Sequence, residues 1–186
     1  NFVKMYLKTD KILNISNEQG FNELALDIFE YQFKNNGVYR AFVQGIKTDI
    51  NAIKHYTQIP FLPIGFFKTH KVLSNVRRDG SIVFTSSSTT SQIPSRHFVS
   101  DIKLYEASFL KGCELFYGKP SDHVILALLP NYLEREGSSL VYMFNKLIQL
   151  SGHPESDFFL NDPDKLIGVL NDLKQQNKKV LLIGVT

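Results

Sequence analysis

Cysteine is almost absent from this sequence, since Cys113 is the one cysteine among 186 residues. A single thiol excludes an internal disulfide framework and any zinc cluster built on cysteines. Cysteine usage of this kind favours a reducing, cytoplasmic setting, which is the localisation we expect. The histidines at positions 55, 70, 123 and 153 are scattered without the spacing of metal ligands, so the sequence predicts no metal site.

Long hydrophobic runs and a strong charge of one sign are also missing. No apolar segment approaches the roughly 18 residues that a membrane span needs, so no span is predicted. The formal net charge is only +3, and the basic residues do not gather on one segment, which gives no indication of a nucleic-acid partner. With 43% hydrophobic and 21% charged residues, the composition is that of a globular protein.

The length suits one domain, and we predict a single domain over residues 1–186. Residues 1–58 should form a mainly helical lead-in. Ser16 is predicted to cap a helix that ends at Asn36-Gly37, and residues 38–53 carry a second helical stripe. Two prolines make residues 59–64 extended chain, which begins the α/β core part over residues 59–186.

The core part alternates short apolar strands with helices. Strands are predicted at residues 81–84, 124–129 and 180–186, and helices are predicted to begin at Pro94-Ser95, at Ser138 or Ser139, and at Asp162-Pro163. This order predicts an α/β fold with a largely parallel sheet and flanking helices. Because a buried strand normally leads on to further structure, we expect the chain to be the N-terminal part of a longer protein, incomplete at its C-terminus.

A run of hydroxyl side chains follows the first predicted strand, and it is the main candidate for a functional site. A strand that enters such a loop and then a helix is suited to phosphate, because backbone N–H groups, hydroxyls and the helix N-terminus converge on the anion. The alternative is a hydroxyl-rich surface loop that binds nothing. The run consists of Thr85, Ser86, Ser87, Ser88, Thr89, Thr90 and Ser91.

The surroundings of this run indicate a family. Residues 84–91 resemble the phosphate-binding loop of the acyl-adenylate-forming enzymes, whose usual form is T-S-S-G-T-T-G. Residues 59–64, 95–99, 128–140 and 181–185 resemble the acyl-protein synthetase family, which is related to the fatty-acid-activating component of bacterial bioluminescence. The resemblance runs from about Ile59 to the end of the chain and is looser before that. It implies the N-terminal large domain of an adenylate-forming enzyme.

The resemblance implies an ATP-dependent ligase that binds Mg²⁺ and ATP. Such an enzyme activates a carboxylic acid, expected to be a fatty acid, to an acyl-adenylate and passes the acyl group to a protein thiol and on to a reductase partner. The phosphates are expected at residues 85–91, with Thr89 and Thr90 foremost. The resemblance identifies no catalytic residue. Residues expected near the acyl pocket or the nucleotide are His97, Tyr132, Ser138 and Ser139.

The sequence leaves two further functions as alternatives. Ser88 and Ser91 stand where the family pattern has glycine, the residue that allows positive φ or close approach to phosphate. They favour a non-catalytic remnant that acts as a binding or scaffolding module with a degenerate loop, and the family-like surroundings favour the enzyme. A serine hydrolase is disfavoured because no G-x-S-x-G elbow follows a strand. Cys113 is expected to be a small buried thiol, not an acyl acceptor.

Overall fold

The computed structural model describes residues 9–74, 82–86, 93–131, 135 and 137–185. The chain divides into two compact units, Asn1–Leu104 and Tyr105–Thr186. The described part of the chain is mixed α/β and contains a parallel sheet, which confirms the predicted fold class.

The first unit begins with helices α1 (Thr9–Leu13), α2 (Glu18–Asn35) and α3 (Gly37–Gly45). Asn17, and not the predicted Ser16, caps α2: its side-chain oxygen accepts a hydrogen bond from the Gly20 N–H at 2.8 Å. This is a shift of one residue, because an asparagine oxygen satisfies an unpaired N–H of the first turn as well as a serine hydroxyl does.

Asn36 separates α2 from α3. Its extended backbone ends the first helix, and its side chain accepts from the Tyr39 N–H at 3.2 Å and so begins the next. The predicted second stripe, residues 38–53, is wrong in its extent, because α3 ends at Gly45 and the rest of that range contains a 3₁₀ turn over Ile50–Ala52 and no further α-helix. Phe29, Tyr39, Val43 and Ile53 pack as one buried cluster, with the Phe29 and Tyr39 rings in a T-shaped pair at 6.2 Å.

The extended segment 59–64 leads into a short helix, α4 (Phe66–Thr69), and a two-stranded antiparallel sheet completes the first unit. Its strands are β1 (Ile82–Thr85) and β2 (Arg96–Val99), and Phe84 lies opposite His97. The predicted helix start at Pro94-Ser95 is therefore wrong. Residues 96–99 find a partner strand, which local helical spacing cannot reveal.

The next helix, α5 (Ile102–Phe116), begins beyond β2, where Asp101 Oδ1 accepts from the Lys103 N–H at 3.1 Å. It ends at Phe116, two residues before Gly118, whose φ of +95° is a conformation that favours glycine, and so it stops where residues 118–120 predicted. Phe116 was expected on the buried face but is 77% exposed. Cys113 on the same helix is buried, which confirms that expectation.

The second unit is built on a parallel sheet of three strands, in the order β4-β3-β5. The strands are β3 (Val124–Leu128), β4 (Asp157–Phe158) and β5 (Val180–Gly184), and helices α6 (Ser139–Ser151) and α7 (Pro163–Gln175) lie between them along the chain. The Ser138 and Asp162 caps are confirmed, each accepting from a backbone N–H of its first turn. The sequence did not predict β4, which is too short to leave a pattern.

Strand β3 is the centre of this unit, and its residues Val124 to Ala127 are completely buried. Its alternate side chains enter different clusters because successive residues of a strand face opposite sides of the sheet. Ile125 and Ala127 pack with Cys113 and the inner face of α6, and Val124 and Leu126 pack with Phe159 and the inner face of α7.

Candidate functional site

The hydroxyl run joins strands β1 and β2, and two serines close its base. The Ser86 N–H donates to the Ser95 carbonyl at 3.1 Å, and the Ser95 N–H donates to Ser86 Oγ at 3.0 Å. Ser95 is buried, while Thr85 and Ser86 are exposed. The oxygen of Ser86 therefore holds the loop base together, and no acceptor among the described residues takes its O–H proton. The other predicted phosphate contacts lie outside the described residues: Ser87, Ser88, Thr89, Thr90 and Ser91.

The hydroxyl run was predicted to lead into a helix whose N-terminus would help to bind phosphate, and this arrangement is not the one observed. The run is followed by β2, and α5 begins only at Ile102, so no described helix starts directly after it. No described helix therefore begins at the end of the run, where the favourable partial charge of a helix N-terminus would act on a bound phosphate. Anion binding here would rest on hydroxyls and backbone N–H groups.

His97 lies on β2 beside the loop base, and not at the start of a helix as the sequence predicted. Its Nε2 atom is 3.2 Å from Ser95 Oγ, and its half-buried ring stacks on Phe67 with centroids 4.7 Å apart and planes 23° apart. Among the described residues, the second ring nitrogen, Nδ1, has no hydrogen-bond partner. Packing and hydrogen bonding thus fix the imidazole next to the hydroxyl run.

A cavity of about 670 Å³ lies within the first unit. Helices α1, α2 and α3, the 59–62 segment, residues 72–74 and strand β2 contribute to its wall, and the lining is apolar except at five positions. Phe67 belongs to this wall and also stacks on His97, so one ring connects the cavity with the loop base.

The polar side chains that line the cavity mostly bond to protein groups. Ser74 Oγ donates to Gln32 Oε1 at 2.9 Å, and Asn36 Nδ2 donates to the same oxygen at 3.3 Å. Tyr39 Oη donates to the Pro60 carbonyl at 2.6 Å, and burial raises the pKa of Tyr39 to about 12. The cavity wall therefore offers mainly hydrocarbon surface to an occupant.

The sequence did not point to this cavity, to Phe67 or to Ser95. A signal was present in retrospect: α2 carries apolar side chains at Phe21 and Ile28 that stay 44% and 39% exposed. An apolar stripe broader than its packing requires is a feature of ligand sites.

The remaining predicted site residues belong to the second unit. Ser138 Oγ caps α6 by accepting from the Val141 N–H at 3.3 Å, and the Ser139 carbonyl accepts from the Tyr105 hydroxyl at 3.0 Å. Tyr132 lies outside the described residues. A small cavity of about 150 Å³ lies where β3 and β4 end, next to Asn131 and Asp162. The carboxyl edge of a parallel sheet is a usual place for ligands, and a role in binding stays a prediction for Tyr132, Ser138 and Ser139.

Cys113 is 9% exposed, and its Sγ lies 3.6 Å from the Gly118 carbonyl. Burial raises the pKa of this thiol, so it is protonated near neutral pH and is a poor nucleophile. Within the described ranges, no group of histidine, cysteine and acidic side chains is arranged to hold a metal ion. None of the described helices combines the length and the hydropathy that crossing a bilayer requires.

A family model for the acyl-protein synthetase LuxE matches residues 8–106. The matched segment contains β1, the hydroxyl run, β2 and the residues that line the large cavity. No curated protein and no solved structure matches the chain. The match covers more than half of the sequence, from a point well before Ile59, where the motif resemblance began. The chain therefore belongs to the LuxE acyl-protein synthetase family.

Proposed function

We propose that this protein takes part in the ATP-dependent activation of a carboxylic acid, of the fatty-acid class, for transfer to a protein thiol. The observation that carries the proposal is the family match over residues 8–106, because that segment contains the hydroxyl run between β1 and β2. Acyl-protein synthesis is the activity of the family. The use of ATP and the fatty nature of the acid are the proposed refinements.

The proposed reaction has two steps. A carboxylate oxygen attacks the α-phosphorus of ATP, a P–O bond to pyrophosphate breaks, and an acyl-adenylate forms. A thiolate of the acceptor protein then attacks the acyl carbon, the bond to AMP breaks, and a thioester forms. The first step converts a poor acyl donor into one with a good leaving group. The enzyme's contribution is to position the reactants and stabilise the phosphate charge.

The hydroxyl run is the proposed phosphate site. Thr85, exposed at the end of β1, and the five residues from Ser87 to Ser91 would supply hydroxyl and backbone N–H donors. Ser86 would contribute only its O–H proton, since its oxygen accepts from the Ser95 N–H. The proposed Mg²⁺ ion binds to the phosphates of ATP. Such an ion keeps several waters and needs few ligands from the protein.

His97 is the proposed neighbour of the acid's carboxylate or of the adenylate phosphate. It lies beside the loop base, and an imidazole N–H is a suitable donor to an anionic oxygen. Tyr132, Ser138 and Ser139 remain proposed contacts of the acyl group or the nucleotide. The thiol acceptor and a reductase partner are proposed as separate from Cys113, because that thiol is buried. The proposed setting is cytoplasmic.

The phosphate site is tested by calorimetric titration of Mg·ATP into the 186-residue chain and into a Thr89→Val/Thr90→Val variant. Valine keeps the shape of threonine and removes the hydroxyl, so saturable binding should be present in the wild type and lost in the variant. Ser108→Val, an exposed change on α5, is the control and should bind like the wild type. Binding that survives in the double valine variant would contradict the assignment of the phosphates to this run.

The second candidate function is a remnant with a degenerate phosphate loop, and it rests on the serines at 88 and 91. A Ser88→Gly/Ser91→Gly variant separates the two candidates. If ATP binds only to this variant, the natural loop is degenerate. If wild type and variant both bind, the activation reaction is favoured. Absence of binding in both contradicts the assignment of an ATP site to this chain.

His97 is tested by His97→Phe, which keeps a flat ring against Phe67 and removes both nitrogens. We expect the affinity for Mg·ATP or for the acid to fall by about 10-fold or more, because a hydrogen bond to a charged group contributes about 1.5–3 kcal/mol. The melting temperature should change little. Unchanged affinity for both ligands would remove His97 from the site.

A further inference from the structure

We infer that the cavity of the first unit binds the hydrocarbon chain of a straight-chain carboxylic acid. The inference rests on the proposed function for the identity of the head group. The location and the chemistry of the chain site come from the cavity itself, which none of the comparisons assigns.

The size of the cavity suits a small molecule. Its volume of about 670 Å³ falls within the roughly 300–1,000 Å³ of ligand pockets. Several lining side chains remain substantially exposed, Phe61 at 78% and Phe21 at 44% among them. Such surface is costly to leave in water, and a ligand that covers it gains affinity from the apolar area removed from water.

The chemistry of the wall selects for hydrocarbon. The side chains of Asn36, Tyr39 and Ser74 already hydrogen-bond to protein groups. An inserted peptide would bring backbone N–H and carbonyl groups that need partners, and a buried polar group without one is costly. An alkyl chain needs none. This difference favours an acyl chain over a peptide segment as the occupant.

The position of the cavity supports the same occupant. Phe67 lines it and stacks on His97 at 4.7 Å, and His97 lies beside the base of the hydroxyl run. A chain in the cavity can therefore present its carboxylate at the side where the proposed phosphate site begins. An apolar site connected in this way to an anion site is what an amphiphilic acid requires.

The experiment is a calorimetric titration of octanoate, decanoate and dodecanoate, below their micelle-forming concentrations, into the 186-residue chain. Each CH₂ group that enters the cavity should tighten binding about fourfold, so each two-carbon step should lower the Kd by about 15-fold. Affinity that is independent of chain length, or no saturable binding of dodecanoate, would overturn the inference.

Matched variants test whether dodecanoate binds inside the cavity. Ala25→Trp fills the cavity from α2 and should abolish dodecanoate binding, while Asp27→Trp adds the same ring on an exposed position of that helix and should not. If Ala25→Trp fails to fold, Phe61→Ala is the variant that tests the inference. Phe61 is largely exposed, so removing its ring should cost little stability. Phe61→Ala should weaken binding several-fold. Unchanged affinity in that variant overturns the inference.

Titration of Mg·ATP into the same samples distinguishes failure of the chain site from failure of the proposed function. Acid binding that depends on chain length without ATP binding supports the cavity and contradicts the proposed function. ATP binding without acid binding supports the proposed function and overturns the chain site.

Discussion

The two units of this chain bury apolar residues in different ways. In the second unit, four successive residues of β3 are completely buried, and helices on both faces of the sheet complete the clusters. In the first unit, the buried cluster is small and aromatic, and a cavity of about 670 Å³ lies next to it. The first unit also coincides closely with the segment that matches the family model.

This difference indicates that the second unit contributes mainly to stability and that the first unit is the one suited to binding a ligand. A close-packed sheet with complementary faces is sensitive to the loss of a single methylene group. A helical unit that leaves apolar side chains around an open cavity is less tightly packed and can accept a ligand. We therefore expect substitutions in β3 to affect unfolding and substitutions around the cavity to affect binding.

The largest expected effect is that of Leu126→Ala. Leu126 is fully buried against Phe159 and the inner face of α7, so the substitution should lower the free energy of unfolding by about 2–5 kcal/mol. Leu24→Ala on the cavity wall should cost less, because it enlarges a space that is already open. Urea unfolding of both variants measures the contrast. An equal or larger loss for Leu24→Ala would show that the first unit is packed as tightly as the second.

A smaller effect is expected from Ser156→Ala. Ser156 Oγ accepts from the N–H of Ile125, which is completely buried, at 2.9 Å, and from the Ser151 hydroxyl at 2.9 Å. The hydroxyl thus takes the place of a strand partner just before β4 begins. Without it, the buried N–H loses its acceptor, and unfolding should become easier by about 1–3 kcal/mol. The control, Ser121→Ala, removes an exposed hydroxyl and should leave the urea midpoint unchanged.

The third prediction concerns the first unit at alkaline pH. Burial raises the pKa of Tyr39 to about 12, against an unfolded value of about 10. Because the folded pKa is the higher one, the stabilisation is complete below pH 10 and is lost as the pH rises toward 12. Wild-type protein should therefore lose more stability than Tyr39→Phe across this interval, as measured by melting temperature.

At neutral pH the same variant should be less stable than the wild type by about 0.5–1.5 kcal/mol, because it lacks the hydrogen bond to the Pro60 carbonyl. Tyr117→Phe is the control, since Tyr117 is 61% exposed. Parallel pH curves for wild type and Tyr39→Phe would contradict the burial of this hydroxyl.

The elements that the sequence predicted well have local signals. Val124 to Leu128 and Val180 to Gly184 are continuous apolar runs, and Ser138 and Asp162 are capping residues directly before helical spacing begins. The prediction for residues 96–99 was wrong because strand β2 has no such local signal. Residues 96–99 become a strand through pairing with β1, and their spacing toward Tyr105 is compatible with a helix.

The candidate site also has one part that the sequence predicts and another that it does not. The hydroxyl run is visible in the sequence because its residues are consecutive, and the family resemblance follows from ordered motifs. Ser95, Phe67 and the cavity could not be predicted, because each depends on residues distant along the chain that meet only when the unit folds. The predicted helix N-terminus beside the run was wrong because β2 intervenes.

The sequence alone determined the α/β class, the parallel sheet around residues 124–128, the hydroxyl run and the family, since all of these depend on local patterns or consecutive motifs. Tertiary structure alone decided that the run joins two strands, that His97 is held by Ser95 and Phe67, and that α2 surrounds a cavity with residues 59–62. Strand pairing and cavity formation are non-local, because they bring together segments that no local pattern connects.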